Sequence, residues 1–396
     1  MARNIFWIII AALLLSRAVG LTAEPPVDIF LRQARLQPND TGEQLLLDAI
    51  FGKAGAVDAL RDWLDQTNQD EATNPEAWSF LCRDSFQRGN YSAALADCSR
   101  AVASDPKNLR GDKNTLGVAN MLKDAPPPSL TGTGARLQLD PKGQVAVAAG
   151  DEQLAAIVDT GAQVSVMMQS VADKAGVHFL GEWSNADTAT RAVAGKAGTI
   201  PRVVIGKAEL RDLPVLVMPD RALTFENGKL QLRFILGLGA LRQFGRVAWL
   251  DHGKVLTLGD AAPALSANAV PAYWHPLGVG IPIDGPGGER RGAHYDTGSN
   301  RTYLYARALP IVSKAELARL KPAHRKTGGV GGIVTEKVQR LPKLTLQLAH
   351  QSIKLFNVDV APTTKTGDAA RIGADIFKQL RTVVLDFDAM RFSAER

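Results

Sequence analysis

The sequence predicts a multidomain chain: an N-terminal α-helical domain followed by two related β-rich, barrel-like lobes. Three observations lead to that expectation. Residues 28–123 are rich in Ala and Leu at helical spacing and poor in β-branched runs. Residues 125–134 gather three prolines and two glycines, the composition of a boundary. Beyond it one phrase occurs twice, 137 positions apart: Ala155-Ala156-Ile157-Val158-Asp159-Thr160-Gly161-Ala162 and Gly292-Ala293-His294-Tyr295-Asp296-Thr297-Gly298-Ser299. The expected divisions are a signal peptide at 1–23, a helical domain at 24–125, a linker at 126–134, a first lobe at 135–262 and a second at 263–396.

At the N-terminus Arg3 precedes an apolar run, residues 5–15, and then small residues at Ala18, Gly20 and Ala23. That order is the pattern of a secretory signal, and the run is shorter than the roughly 20 residues that span a bilayer as a helix. Export to a periplasm or the outside is the expectation, with no stable membrane span after cleavage. A permanent anchor is the alternative.

The helical region holds its clearest pattern at Asn74-Pro75-Glu76-Ala77-Trp78, Leu81, Gly89-Asn90-Tyr91, Ala94-Leu95, Ala101 and Asp105-Pro106. This resembles one tetratricopeptide repeat, with fainter neighbours in phase at Ala59-Leu60 and Leu116-Gly117. The resemblance implies a TPR-like array whose groove takes a protein partner. A helical spacer or pro-segment would show the same packing pattern. The two cysteines, Cys82 and Cys98, fall on the two helices of the best repeat. In an oxidising compartment they form a disulfide across the hairpin; otherwise they are two buried thiols.

In each later copy a small, apolar run leads into the Asp, as a buried strand delivering a carboxylate to a turn. Gly tolerates close backbone approach there, and the Thr hydroxyl can bond locally or across to a partner. Ile235-Leu236-Gly237 follows Asp159, its Gly 78 positions on, and Arg371-Ile372-Gly373 follows Asp296, its Gly 77 positions on. A short helix-like stretch and a strand ending in Asp251 or Asp386 come next, and before each copy lie an alternating strand and a polar turn.

Residues 135–396 therefore resemble the aspartic-protease superfamily, in the bilobal arrangement of pepsin-like enzymes but with short lobes similar to retropepsin-like domains. The resemblance implies an all-β bilobal fold with Asp159 and Asp296 as the catalytic pair. It also implies Thr160 and Thr297 as threonines bonding between lobes, and active-site support from Gly161, Gly298, Ser299, Ile235, Leu236, Gly237, Ile372 and Gly373. Arg371 stands where the family carries an apolar residue, and Ala162 lacks the hydroxyl that Ser299 offers. No flap tyrosine is evident between Asp159 and Ile235; Trp183 with residues 188–198, and Gly328-Gly329-Val330-Gly331-Gly332 in the second lobe, are the candidate covers.

Two carboxyls in one site cannot both ionise cheaply, so one keeps a proton while the other is charged. The charged member can take a proton from a shared water, and the protonated member can donate to the developing oxyanion. The expected function is an exported aspartic-type endopeptidase acting on a protein or peptide substrate. With no hydroxyl at Ala162 to favour ionisation, activity is expected at mildly acidic to neutral pH. The alternative is a catalytically inactive, protease-like module that binds peptides or supports assembly on its helical scaffold.

Other chemistries lack their residues. Six scattered histidines at 178, 252, 275, 294, 324 and 350 give no zinc set, so neither metal nor cofactor is expected. His294, two positions before Asp296, is either a packed strand residue or a group that tunes the dyad. A net charge of +6 without basic runs reads as a solvated surface, with no nucleic-acid partner expected. The glycine cluster at 328–332 lacks the Lys-Ser/Thr ending of a phosphate loop.

Overall fold

The doubled phrase reappears in space as a doubled strand connection. In the first repeat Gln144–Ala149 pairs with Glu152–Val158, which runs parallel to Phe234–Leu236. That short strand pairs with Ser165–Met168, then Ala208–Met218, then Val193–Ile205, which returns to Gln144–Ala149 and closes a ring of six strands. The second repeat uses the same connections. Gly278–Asp284, Arg290–Tyr295, Ala370–Ile372, Tyr303–Tyr305, Gln351–Ala361 and Gly332–Leu348 follow in turn, closing through Asp284 opposite Gln347. Edge strands bring each sheet to eight: Ser129–Thr131 and His178–Ala186 on the first, Tyr273–His275 and Lys321–Gly329 on the second. The computed structural model describes residues 28–396, apart from 38, 68–73, 106, 108–110, 187–192, 226–227, 330–331 and 363–366.

Between the two rings lies a six-stranded sheet to which both repeats contribute a hairpin. Arg246–Leu250 with Val255–Gly259 stands beside Thr382–Asp386 with Arg391–Glu395. Arg246 Nε donates to Asp386 Oδ2 at 2.8 Å across the seam. Beneath the second Asp turn the rings of Tyr295, Trp249, Phe392 and Phe377 pack with centroids 5.4–5.9 Å apart. The strand that delivers Asp296 therefore rests on a rigid aromatic floor.

Among the described residues the helical region forms six helices: α1 (Ile29–Arg35), α2 (Thr41–Ile50), α3 (Ala56–Gln66), α4 (Pro75–Gln87), α5 (Tyr91–Ser104) and α6 (Asp112–Leu122). Pro75 opens α4, where its missing N–H costs nothing, and Asn90 caps α5 by accepting the Ala93 N–H at 3.2 Å. Trp78, Leu81, Tyr91, Ala94 and Ala101 are all buried. Cys82 and Cys98 form a disulfide that staples α4 to α5. Among the described residues no helix is long and apolar enough to cross a membrane. The apolar run at 5–15 and the expected signal at 1–23 lie outside those residues.

Residues 126–134, the expected Pro/Gly linker, contribute to two sheets. Ser129–Thr131 pairs with residues 209–211 as an edge strand, and Gly134 already begins the strand Gly134–Gln138 of the central sheet. Leu130 supplies the reason, because it packs on the core of the first ring. Gly134 has no room for a Cβ, which would stand 2.4 Å from the Leu258 carbonyl oxygen.

Candidate active site

Each Asp turn is held from behind by the short strand of its own repeat. Leu236 O accepts the Asp159 N–H at 3.0 Å, and Ile372 O accepts that of Asp296 at 2.9 Å. The chain then passes each glycine through its turn: Leu238 N donates to Ala162 O at 2.7 Å, and Ala374 N to Ser299 O at 2.8 Å. A Cβ on Gly237 would lie 2.6 Å from Ala162 O, and one on Gly373 would lie 2.6 Å from the Arg301 carbonyl carbon. Only glycine fits this crossing.

Two further hydroxyls complete the brace. Ser165 Oγ accepts the Gly237 N–H at 3.1 Å, and Thr302 Oγ1 accepts the Gly373 N–H at 3.0 Å. Both stand six positions after their Asp, so aligning the two repeats would have exposed them. Single-copy reading does not.

The turns interlock through the threonines. Thr160 Oγ1 donates to Tyr295 O at 2.8 Å while accepting the Thr297 N–H at 3.1 Å. Thr297 Oγ1 donates to Val158 O at 2.8 Å while accepting the Thr160 N–H at 3.1 Å. Four reciprocal bonds thus fix one turn against the other, with the Thr160 side fully buried.

That interlock brings the carboxyls together. A Cβ on Gly298 would come within 2.3 Å of the Asp159 carboxyl carbon, and one on Gly161 within 2.6 Å of that of Asp296. Each carboxyl therefore lies against the glycine of the opposite turn, which sets the two close enough for Asp296 to act electrostatically on Asp159. Asp159 Oδ1 accepts the Gly161 N–H at 2.8 Å, and Asp296 Oδ1 accepts the Ser299 N–H at 3.0 Å.

The pair is not symmetric. Arg371 Nη1 donates to Asp296 Oδ2 at 2.9 Å, a partly buried charge-assisted bond with no counterpart at Asp159 among the described residues. Burial, then repulsion from Asp296, pushes the Asp159 carboxyl up to about 8. Burial works against the Arg371 charge, but Asp296 and the phenols of Tyr303 and Tyr305 outweigh it and raise its affinity for its proton. Asp159 is thus the member built to hold a proton, while Asp296 is the member paired with an arginine.

Two site expectations need correction, and for His294 the packed alternative holds. Ser299 does not aim its hydroxyl at the dyad; its Oγ donates to Arg301 O at 2.9 Å, and the place beside Asp296 is taken by Arg371. His294 does not tune the dyad by direct contact. It is buried and stacked on His275 with centroids 4.7 Å apart, and burial followed by its charged neighbours drives its basicity well down. His275 in turn accepts the Leu277 N–H on Nδ1 at 3.0 Å and faces Asp368 through Nε2 at 2.8 Å. Trp183 does not hang over the cleft as a cover; its ring lies beside Gly117 of α6, 3.8 Å from where a Cβ would be. Residues 187–192 and 330–331, at the tips of the two candidate covers, lie outside the described residues.

The helices also reach the site. Gln87 Nε2 donates to Gln163 O at 3.0 Å, one residue beyond the first Asp-Thr-Gly-Ala turn, and the Gln163 side chain bonds Pro276 O of the second repeat. At the far end Asp28 Oδ2 accepts the Gly292 N–H at 2.8 Å on the strand that delivers Asp296. No pattern in the sequence marks Asp28, Gln87 or Gln163 for these contacts.

Among solved structures, a retropepsin-like aspartic protease from Rickettsia conorii is similar at 18% identity and a TM-score of 0.23, over 33% of this chain and 92% of that one. No curated protein matches the chain. The segment from 145 to 243, which carries Asp159, its turn and the Ile235-Leu236-Gly237 brace, matches the family model of the gag-polyprotein putative aspartyl protease.

Proposed function

We propose that the chain is an aspartic-type endopeptidase that hydrolyses peptide bonds with a water held between Asp159 and Asp296. The observation that carries this reading is the contact of two carboxyls, each seated on the glycine of the opposing turn and locked by reciprocal threonine bonds. Asp296, paired with Arg371, is the general base that takes a proton from the water. Asp159, kept protonated by burial and by its charged neighbour, donates toward the carbonyl oxygen as the tetrahedral intermediate forms. The roles then reverse as the leaving amine is protonated.

The same proposal includes export by residues 1–23 and a bilobal division at 135–262 and 263–396. It also includes a TPR-like helical domain at 24–125 that positions a protein partner.

One observation favours a second reading, a protease-like module that binds peptides or supports assembly without cutting. Arg371 already occupies Oδ2 of Asp296, an oxygen a bound water would use. Cleavage of an unbiased peptide library by wild type, Asp159→Asn and Asp296→Asn, across roughly pH 3 to 8, separates the two. The endopeptidase reading expects cleavage by wild type alone, blocked by a statine-type transition-state inhibitor. Equal cleavage by all three proteins overturns it, and inhibitor-sensitive peptide binding without cleavage selects the second reading.

A further inference from the structure

The hairpin of Lys321–Gly329 and Gly332–Leu348 carries an arginine on its inner face that the hydrolysis scheme does not use. Arg325 lies over the Tyr303 ring, its guanidinium carbon 4.0 Å from the centroid, and Arg371 approaches the same ring at 5.5 Å. Arg325 and the arginine that holds Asp296 thus share one aromatic ring. Arg325 spends one nitrogen on Glu336, at 2.8 Å, and Arg371 spends one on Asp296. The rest of the cluster is short of acceptors. Nε and Nη1 of Arg325, Nε of Arg371 and the hydroxyl of Thr327 are all buried without a partner among the described residues. Thr327 lies two positions from Arg325 on the same strand, so the two share a face.

Buried guanidinium N–H groups without acceptors are costly, and the ligand that best answers them is a carboxylate, which takes two parallel bonds across Nη1 and Nη2 once Glu336 leaves Nη2. We propose that the Tyr303 face of this hairpin is a subsite for a substrate carboxylate, read by Arg325 and Thr327 beside the dyad. The inference rests on the endopeptidase reading for its location and names the substrate class: peptides that place an acidic side chain, or their own C-terminal carboxylate, on the Tyr303 side of the cleft. Glu336 occupies the fork until the substrate arrives. Its side chain is 39% exposed, so it can turn to water when displaced.

The test uses the full chain and fluorescent peptides that span the cleft, each with one Glu or Gln at a varied position, made as free acids and as C-terminal amides. Binding is read with Asp159→Asn as the non-cleaving background, and cleavage with the unsubstituted protein. Glu peptides are expected to bind roughly ten- to a hundredfold more tightly than their Gln twins, the range for hydrogen bonds to charged groups. The preference should vanish in Arg325→Gln and grow in Glu336→Gln, which frees the fork; a merely structural Arg325 would not produce that growth. Preference for the free acid over the amide would assign the carboxylate to the peptide terminus. Equal binding of Glu and Gln peptides, acid and amide alike, overturns the subsite, and cleavage of those same peptides would leave the endopeptidase reading standing. Charge preference without any cleavage supports the subsite and overturns that reading. Should Arg325→Gln fail to fold, an unchanged preference in Glu336→Gln is sufficient to reject the proposal.

Discussion

Gly161 and Gly298 each carry the carboxyl of the other turn, so an added methyl on either acts directly on the dyad. Gly298→Ala would place Cβ 2.3 Å from the Asp159 carboxyl carbon, and neither group can retreat, because the turn is held by four threonine bonds. The expected result is a loss of at least about a hundredfold in kcat with a folded protein, since displacement by about 1 Å costs that much. Circular dichroism together with the kcat of the variant checks it. The elevated titration of Asp159 makes a second prediction, with a definite sign. Its folded affinity for the proton exceeds the unfolded one, so the folded chain holds more protons between about pH 4 and about 8, and stability falls as pH rises through that window. Asp159→Asn removes the titration. Its melting temperature should gain on wild type as pH is raised from 4 toward 8, and a gain that shrinks instead would contradict the burial argument. Wild-type activity, which needs that proton, should decline as pH passes about 8.

At the scale of elements, the doubled Asp-Thr-Gly strand and its following hydrophobic-Gly segment were legible because both are short, contiguous and repeated within one chain. The parallel pairing of residues 156–158 with 234–236, and of 293–295 with 370–372, joins segments that sequence spacing had already matched. The role of Arg371 was not legible beyond its oddity, because which acid an arginine meets depends on the strand register that sets it opposite Tyr303 and His294. Nor was the edge strand at 129–131, whose three residues carry no alternation long enough to outweigh the prolines before them. The α4–α5 hairpin was legible down to its cysteines. Their disulfide spans a separation of 16 residues, and a loop of that length removes about 3 kcal/mol of unfolded-state freedom in the chain-entropy model. Replacing both cysteines with alanine should cost about 2–4 kcal/mol in urea unfolding. Loss of less than about 1 kcal/mol would show that the hairpin is held by its packing alone.

For the molecule as a whole, the question is whether the helices are a removable pro-segment or part of the catalytic body. Their side chains form a core cluster of their own, from Leu46 to Ala101, but that cluster is not closed off from the strands. Phe86, Tyr91, Ala94, Val118, Ala119 and Leu122 belong to the same buried cluster as the strands of both rings, while Tyr273 of the second repeat is buried among helix residues. Polar contacts follow the same course: Arg242 of the first repeat reaches Asp84 of α4 at 3.3 Å, and Asp28 satisfies the N–H of Gly292 on the strand that delivers Asp296. Met121 of α6 fills the space over Gly181, where a Cβ would come within 2.6 Å of its sulfur. Removing residues 24–125 would therefore expose the apolar floor of the first ring and leave the Gly292 N–H without its buried partner, each such orphan costing about 1–3 kcal/mol. A pro-segment that blocks a cleft gives rise in activity when it is cut away; helices that share a core give the opposite. Expression of residues 126–396 alone should yield a protein that is less stable and less active than the full chain. Asp28→Asn offers the milder version: it should lower stability by about 1 kcal/mol or more while leaving the charge of the dyad untouched. A truncated form that is folded and more active than the intact one would show that the helices restrain the enzyme rather than complete it.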